Sequence, residues 1–189
     1  AVVSDAGMPG ISDPGSDLVA LAIAAGITVI PLPGANAALS ALVCSGLDTS
    51  LFTFIGFLPK GKKKRRELIA SLVTNPHTMV FYESPHHIKT TLSELSSALG
   101  ERPAVAAREL TKKFEEFIRG TLASIEVHFS KCDPRGEFTL IVGGQTEDQR
   151  SELVTEPLLS LSDGIAALLA TGITKKDAIK AIAKERGLP

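Results

Sequence analysis

The chain has 189 residues, of which 44% are hydrophobic and 22% charged, and its formal net charge is −1. These values are typical of a folded globular protein, and they exclude a chain that binds nucleic acid through overall basic charge. No apolar run is long enough to span a membrane, and no secretory signal is visible. The two cysteines lie far apart, which predicts a reducing, cytoplasmic location, and the four histidines show no zinc-ligand spacing, so no metal is expected.

The first fifty residues alternate predicted strands with predicted helices. Ala1–Ser4 predicts a buried strand, and the Gly/Pro-rich loop after it leads to Asp13-Pro14, a pair typical of a helix N-cap and first helical position. The β-branched segment Ile27–Leu32 predicts a second buried strand, and after Pro33-Gly34 the chain returns to helix as far as about Ser45. Two such strand–loop–helix units imply a parallel sheet, with both loops at the sheet edge where α/β proteins bind ligands.

The middle of the chain predicts a second α/β unit. Strand patterns at 51–57, 78–82, 104–108 and 137–142 alternate with helix patterns at 61–73, 85–99 and 121–130, and 114–120 resembles a hairpin strand. The polar stretch from Gln145 to Pro157 is typical of a linker. We therefore predict α/β domains at 1–50 and 51–146, a linker at 147–158 and a helical segment at 159–189.

The tail predicts a short helical hairpin. Ser162 precedes an apolar helical pattern that Gly172 ends, and Thr174 with Asp177 forms a capping-box pattern before a second helix. The lysines of this hairpin suit an RNA-contacting module. A packing or dimer element is an equal alternative.

A dense basic run occupies one predicted helix start. Its six members are Lys60, Lys62, Lys63, Lys64, Arg65 and Arg66. A solvated helix face would explain such a run. Crowded cations at a helix N-terminus, however, oppose the helix dipole and repel one another, and a bound polyanion would relieve both costs. The run is therefore a candidate contact for nucleic-acid phosphates.

Five motifs occur in one order along the chain. They are Asp5–Gly15, Pro33–Ala37, Gly56–Pro59, Phe81–His86 and Arg108–Lys112. In this arrangement the chain resembles the tetrapyrrole methylase superfamily, and the resemblance extends over essentially its whole length. Two departures are Met8, where the family usually has threonine, and His87, where it usually has arginine.

The resemblance implies both a fold and an activity. The expected fold is α/β, with two α/β halves, a cofactor cleft between them and a small C-terminal helical segment. The chain opens on a strand end without methionine, so we expect its N-terminal half to be truncated. The implied activity is S-adenosylmethionine-dependent methylation of a cytidine ribose 2′-hydroxyl in small-subunit ribosomal RNA, by a homodimer. A methyltransferase of porphyrin precursors and a non-catalytic RNA-binding module are the alternatives.

The resemblance also implies individual site residues. The expected cofactor contacts are Asp5, Ala6, Gly7, Ile11, Asn36, Ala37, Tyr82 and Leu110. Methyl transfer to a hydroxyl benefits from a base that removes the proton. The candidates for that base are Glu83 and Glu109, and His86 ranks after them. For Glu109, which is close to Lys112 in sequence, a structural ion pair is an equal alternative to a catalytic role.

Overall fold

The computed structural model describes residues 1–4, 7–146, 165, 168–170 and 172–185. The chain forms two compact units, Ala1–Thr146 and Glu147–Pro189. The first unit contains α1 (Ser16–Ala24), α2 (Ala37–Ser45), β1 (Phe52–Phe57), α3 (Lys62–Leu72), β2 (Thr78–Glu83), α4 (Ile88–Leu99), β3 (Pro103–Arg108), β4 (Glu116–Thr121), α5 (Leu122–Ser130) and β5 (Phe138–Val142). The second unit contains α6 (Lys175–Glu185).

One five-stranded sheet organises the first unit. Its strand order is β1-β2-β5-β3-β4, in which β1 and β2 run parallel while β5 pairs antiparallel with both β2 and β3. The last strand in sequence therefore lies at the centre of the sheet, where all five of its residues are buried. The predicted α/β class is confirmed, as a mixed sheet.

The sheet is covered on both faces. Met79 and Phe81 of β2 belong to the core formed with α3, α4 and α5, whereas Val80 between them packs with α2. This alternation is the period of two expected along a strand. Because both faces are covered, β2 and β5 are continuous apolar runs rather than alternating ones.

Two predicted strands do not form. The described residues of 1–4 and 27–32 are irregular and paired with no described strand, and their apolar side chains are largely exposed, including Val3 at 87% and Leu32 at 84%. A β-branched sequence becomes a strand only when a neighbouring strand accepts its backbone hydrogen bonds. The predictions of a buried strand at each segment, and of a parallel sheet between them, are wrong for this structure.

The helix ends in the first unit correct the predicted cap at Asp13 and confirm the predicted helix end near Ser45. Asp13 is not the cap of α1, because the helix begins at Ser16 after Gly15, whose φ of 134° suits glycine. Asn36 caps α2, since its Oδ1 accepts a hydrogen bond from the Leu39 amide at 3.0 Å, and Gly46 ends that helix in the left-handed conformation.

The second unit confirms the predicted cap of its last helix. The Thr174 hydroxyl accepts a hydrogen bond from the Asp177 amide at 3.3 Å and donates one to the Asp177 carboxylate at 2.6 Å, and α6 follows. The predicted linker and the predicted Ser162 cap lie outside the described residues.

Candidate functional site

Two loops of the N-terminal part meet at one crevice. Gly7 and Ile11 from the first loop and Asn36 and Ala37 from the second line the same cavity, of about 280 Å³. A methyl group built on Gly7 would make an ordinary van der Waals contact with the carbonyl oxygen of Ala35 at 3.9 Å, whereas the φ of Gly7 is +76°. The turn at Gly7 thus uses the conformational freedom of glycine. The loops converge even though the strands predicted before them do not form.

The opposite wall of the crevice comes from the end of β2. The hydroxyl of Tyr82 accepts a hydrogen bond from the Ala38 amide at 3.2 Å, which joins β2 to the first turn of α2. The Tyr82 ring packs edge-on against Phe54, with 5.2 Å between ring centroids. Burial raises the pKa of the Tyr82 hydroxyl, against a smaller lowering by the Ala38 amide. Tyr82 therefore faces the crevice as a neutral phenol held from two sides.

Glu83 follows Tyr82 and is only 6% exposed. Its Oε1 accepts a hydrogen bond from the Ser84 amide at 2.9 Å, and its Oε2 accepts one from the Thr91 hydroxyl at 2.5 Å. The same hydroxyl accepts a hydrogen bond from Arg65 Nη2 at 2.7 Å, and Arg65 Nε pairs with Glu94. A chain of polar side chains thus fixes a carboxylate at the crevice wall.

Ser84 also lines the crevice, and its side chain lacks an internal partner. The Oγ atom is buried and has no hydrogen-bond partner among the described residues. Buried hydroxyls are usually paired, so an unpaired one at a cavity wall is available to bond a ligand or a water molecule in the cavity. Neither periodicity nor the family motif singled out this hydroxyl.

A second cavity of about 320 Å³ adjoins the first and shares part of its lining, including Gly7, Asn36 and Ala37. Glu109, Leu110 and Thr111 border it from the loop between β3 and β4. The predicted site residues Glu109 and Leu110 therefore lie beside the first cavity rather than in it.

Glu109 is held in an ion-paired arrangement. Its Oε1 accepts hydrogen bonds from Lys112 Nζ and from the Glu137 amide, each at 3.1 Å. The bond from Lys112, followed by the bond from the Glu137 amide, lowers the pKa of Glu109, and the same pairing raises the pKa of Lys112. A carboxylate with a lowered pKa and an occupied oxygen is a weak proton acceptor.

Backbone strain is concentrated at this crevice. Within the described part of the chain, the non-glycine residues with positive φ are Ser12 at 54°, Glu109 at 49° and Thr111 at 66°. All three border one of the two cavities. Such conformations cost free energy and persist where function requires them.

The charge of the first cavity is one-sided. Asp13, Glu83 and Glu137 are among its described lining residues, and these include no lysine, arginine or histidine. A phosphate-binding cradle would need the opposite arrangement. The first cavity therefore favours a ligand that carries positive charge or hydrogen-bond donors.

The predicted site residues fall into four groups, of which Glu109 and Leu110 at the second cavity are one. Six lie together in the first cavity, namely Gly7, Ile11, Asn36, Ala37, Tyr82 and Glu83. Asp5 and Ala6 lie outside the described residues. His86 is exposed in the turn before α4 and lines neither cavity. Crevice residues that the sequence prediction of the site missed are Ser4, Met8, Ser12, Asp13, Phe57, Ser84, Glu137, Phe138 and Thr139.

The six residues of the basic run differ in their exposure to solvent. Lys60, Lys62, Lys63, Lys64 and Arg66 are exposed, and Lys63 lies 3.9 Å from Glu67 one helical turn away. Arg65, by contrast, has only 15% of its side chain exposed because it joins Thr91 and Glu94. Five of the six predicted RNA contacts therefore face solvent, while the sixth is part of the fold.

The described residues contain no group of three or more His, Cys, Asp and Glu side chains placed to hold a metal ion. Among the same residues, no helix is long and apolar enough to cross a membrane.

Comparison with known sequences connects this geometry to one family. A sequence profile described as tetrapyrrole (corrin/porphyrin) methylases matches residues 1–126. A relative from Halalkalibacterium halodurans named ribosomal RNA small subunit methyltransferase I is 50% identical, covering 100% of this chain and 65% of that protein. Relatives of the same name from Synechocystis sp. and Bacillus subtilis are 45% and 43% identical, and 67% and 65% of their lengths are covered. The chain thus spans about two thirds of the length of these relatives.

Solved structures share the fold. Cobalt precorrin-4 methyltransferase CbiF superimposes with a TM-score of 0.55 at 17% identity, over 72% of this chain and 61% of that one. The methyltransferase CobJ gives a TM-score of 0.55 at 22% identity, over 73% of this chain and 62% of that one. At such identities the likeness concerns the fold alone.

Proposed function

This chain belongs to the tetrapyrrole (corrin/porphyrin) methylase family, and on that premise we propose that it methylates small-subunit ribosomal RNA with S-adenosylmethionine as methyl donor. The specific product we propose is a cytidine methylated at its ribose 2′-oxygen. The name shared by the relatives, which are 43–50% identical, supports the RNA substrate. The predicted basic run supports it independently.

The observation that carries the cofactor assignment is the acidic, narrow crevice between the two loops. The sulfonium of S-adenosylmethionine is a cation, which favours carboxylates such as Asp13 and Glu83 around it over lysines and arginines. Gly7 leaves room for close approach of a nucleoside to the backbone, and the unpaired Ser84 hydroxyl offers it a hydrogen bond. The residues present therefore fit this cofactor, which would supply an electrophilic methyl group.

The chain's own residues have to orient the acceptor hydroxyl and take up its proton. We assign that proton to Glu83, because its carboxylate lies in the crevice and two hydrogen bonds fix its position. A carboxylate has about four lone-pair positions, so room remains for a substrate hydroxyl. Glu109 is the weaker candidate because pairing with Lys112 lowers its pKa and because it lines the second cavity rather than the first, and His86 lies outside both cavities.

Methyl transfer from labelled S-adenosylmethionine tests the proposal. The acceptors are small ribosomal subunits from a strain that lacks the modification, and a porphyrin precursor is the parallel acceptor. A 2′-O-methyl group blocks alkaline cleavage of the adjacent phosphodiester, so the product should resist alkali at one cytidine. Labelling of the porphyrin alone would refute the RNA substrate, and RNA binding without any cofactor binding in calorimetry would refute the enzyme.

We also propose a homodimer, as the family resemblance implies. Large apolar side chains exposed on the first unit, such as Leu21, Ile23 and Ile30, support a further contact surface there. Sedimentation equilibrium measures the association state, and a monomer at micromolar concentration would contradict the proposal.

A further inference from the structure

A groove between α3 and α4 lies outside the crevice. Its volume is about 460 Å³, and its lining residues are Lys62, Arg66 and Ile69 from α3 with Ser93, Glu94, Ser97 and Ala98 from α4. Spacings of three and four place the residues of each helix on one face. The groove is therefore formed by two helix faces that converge, and it is not an isolated cluster of surface lysines.

The acidic residue of this groove is ion-paired, whereas its two basic residues form no ion pair within the described part of the chain. Glu94 is its one acidic lining residue, and Arg65 already pairs with that carboxylate. Lys62 and Arg66 are exposed, and neither forms an ion pair with another described residue. Pairing of Glu94 within the fold thus leaves two cations facing the groove uncompensated.

The remaining lining residues define the class of ligand. Ser93 and Ser97 lie one helical turn apart and supply hydroxyls. Ile69, which is only 6% exposed, contributes an apolar part of the lining. Two cations and two hydroxyls suit a group with several anionic oxygens. We propose that this groove binds the phosphodiester backbone of the RNA substrate, an assignment that rests on the proposed function.

The groove is also connected to the crevice. Glu94 pairs with Arg65, Arg65 donates a hydrogen bond to Thr91, and Thr91 donates one to Glu83 in the crevice wall. Helix α4 therefore borders the groove with its later turns and supports the proposed base through Thr91 near its start. RNA phosphates held in the groove restrict where the neighbouring nucleotide can reach the crevice.

Salt-dependent binding distinguishes a defined site from diffuse charge. Fluorescence anisotropy measures the affinity of the full chain for a labelled single-stranded RNA of small-subunit sequence over a range of salt concentrations. Each phosphate contact on a single strand contributes about −0.7 to the slope of log K against log salt, so losing two contacts should reduce its magnitude by about 1.4. The test variant is Lys62→Ser with Arg66→Ser.

Two further variants serve as controls. Lys131→Ser with Arg135→Ser removes the same charge from exposed residues outside the basic run and the groove, and should change the slope much less. Ser93→Ala with Ser97→Ala keeps the charge, and should weaken binding several-fold with little change in slope. Calorimetry with S-adenosylmethionine should give the wild-type affinity for all three, because none of these residues lines the crevice.

The outcomes separate this proposal from the proposed function. If the Lys62→Ser, Arg66→Ser variant and the charge-removing control changed the slope equally, the groove would not be the RNA site. RNA methylation as the proposed function would be unaffected by that result. Wild-type protein that binds S-adenosylmethionine but no RNA would overturn both. Competition by millimolar inorganic phosphate as strong as that by RNA would identify a simple anion site and overturn the RNA assignment.

Discussion

The hydroxyl of Thr91 lies between Arg65 and the carboxylate of Glu83, accepting a hydrogen bond from the first and donating one to the second over 2.5 Å. Thr91 is fully buried, so its bond to Glu83 is shielded from water. An arginine in the basic run is thereby connected to an acid in the crevice. Arg65 acts through Thr91 and is a positioning residue.

Replacing Thr91 tests this connection. Thr91→Val keeps the shape but removes the hydroxyl, which leaves a buried oxygen of Glu83 and the Nη2 group of Arg65 without their shared partner. The free energy of unfolding in urea should fall by about 1–3 kcal/mol. Thr90→Val is the matched control on the exposed side of α4, and should change stability by less than about 0.5 kcal/mol. Equal effects of the two variants would contradict the role of Thr91.

The assignment of the base predicts unequal effects of two carboxylate replacements. Glu83→Gln should reduce kcat for methyl transfer by about 10²–10⁴-fold, the usual contribution of a general base. Glu109→Gln should reduce it far less, because pairing with Lys112 lowers the pKa of Glu109 and the residue lines the second cavity rather than the first. Single-turnover rates with saturating cofactor measure both. A larger loss in Glu109→Gln would transfer the role to that residue.

Because the Ser84 hydroxyl has no partner within the described structure, removing it should change ligand affinity without changing protein stability. Ser84→Ala removes no hydrogen bond within the described structure, so the free energy of unfolding should change by less than about 0.5 kcal/mol. If the hydroxyl bonds the cofactor, the Kd should rise about fivefold to tenfold, as expected for one hydrogen bond. Unchanged affinities for both cofactor and RNA would remove Ser84 from the site.

The Glu109–Lys112 pair predicts a pH dependence with a definite sign. The folded-state pKa of Glu109 is lowered, so its contribution to stability is present above the ordinary glutamate pKa and is lost as the pH falls through the lowered value. The difference in unfolding free energy between wild type and Glu109→Gln should therefore favour wild type at neutral pH and shrink in acid. Urea titrations across that range measure it. A constant difference would show that the pairing contributes nothing.

Arg102 predicts a purely structural effect. The residue is 2% exposed, and its guanidinium donates hydrogen bonds to the Val73 carbonyl at 2.6 Å, beside the end of α3, and to the Gly143 carbonyl at 3.3 Å. Arg102→Met should lower the free energy of unfolding by about 2–3 kcal/mol through loss of these charged hydrogen bonds. Cofactor affinity measured below the unfolding transition should not change. Arg135→Met, at an exposed position, is the control and should be near neutral.

Local patterns in the sequence predicted most elements of the first unit. The buried apolar run of β2 and the end of α2 near Ser45 depend on residues close in sequence, so they can be recognised without the rest of the chain. The order of motifs also predicted the family, which the sequence comparisons confirm. The meeting of the Gly7 and Asn36 loops was expected for the same reason.

Only the tertiary structure decided which segments find partners. Ile27–Leu32 has a strand-like sequence, yet it stays irregular because strand formation depends on a neighbour that no local pattern specifies. Arg65 reads like the other cations of its run, and only the packing of α3 on α4 places it between Glu94 and Thr91. The buried, unpaired hydroxyl of Ser84 in the crevice wall likewise results from long-range packing. Residue type and spacing therefore indicated which chemistry was present, and contacts distant in sequence determined where each group acts.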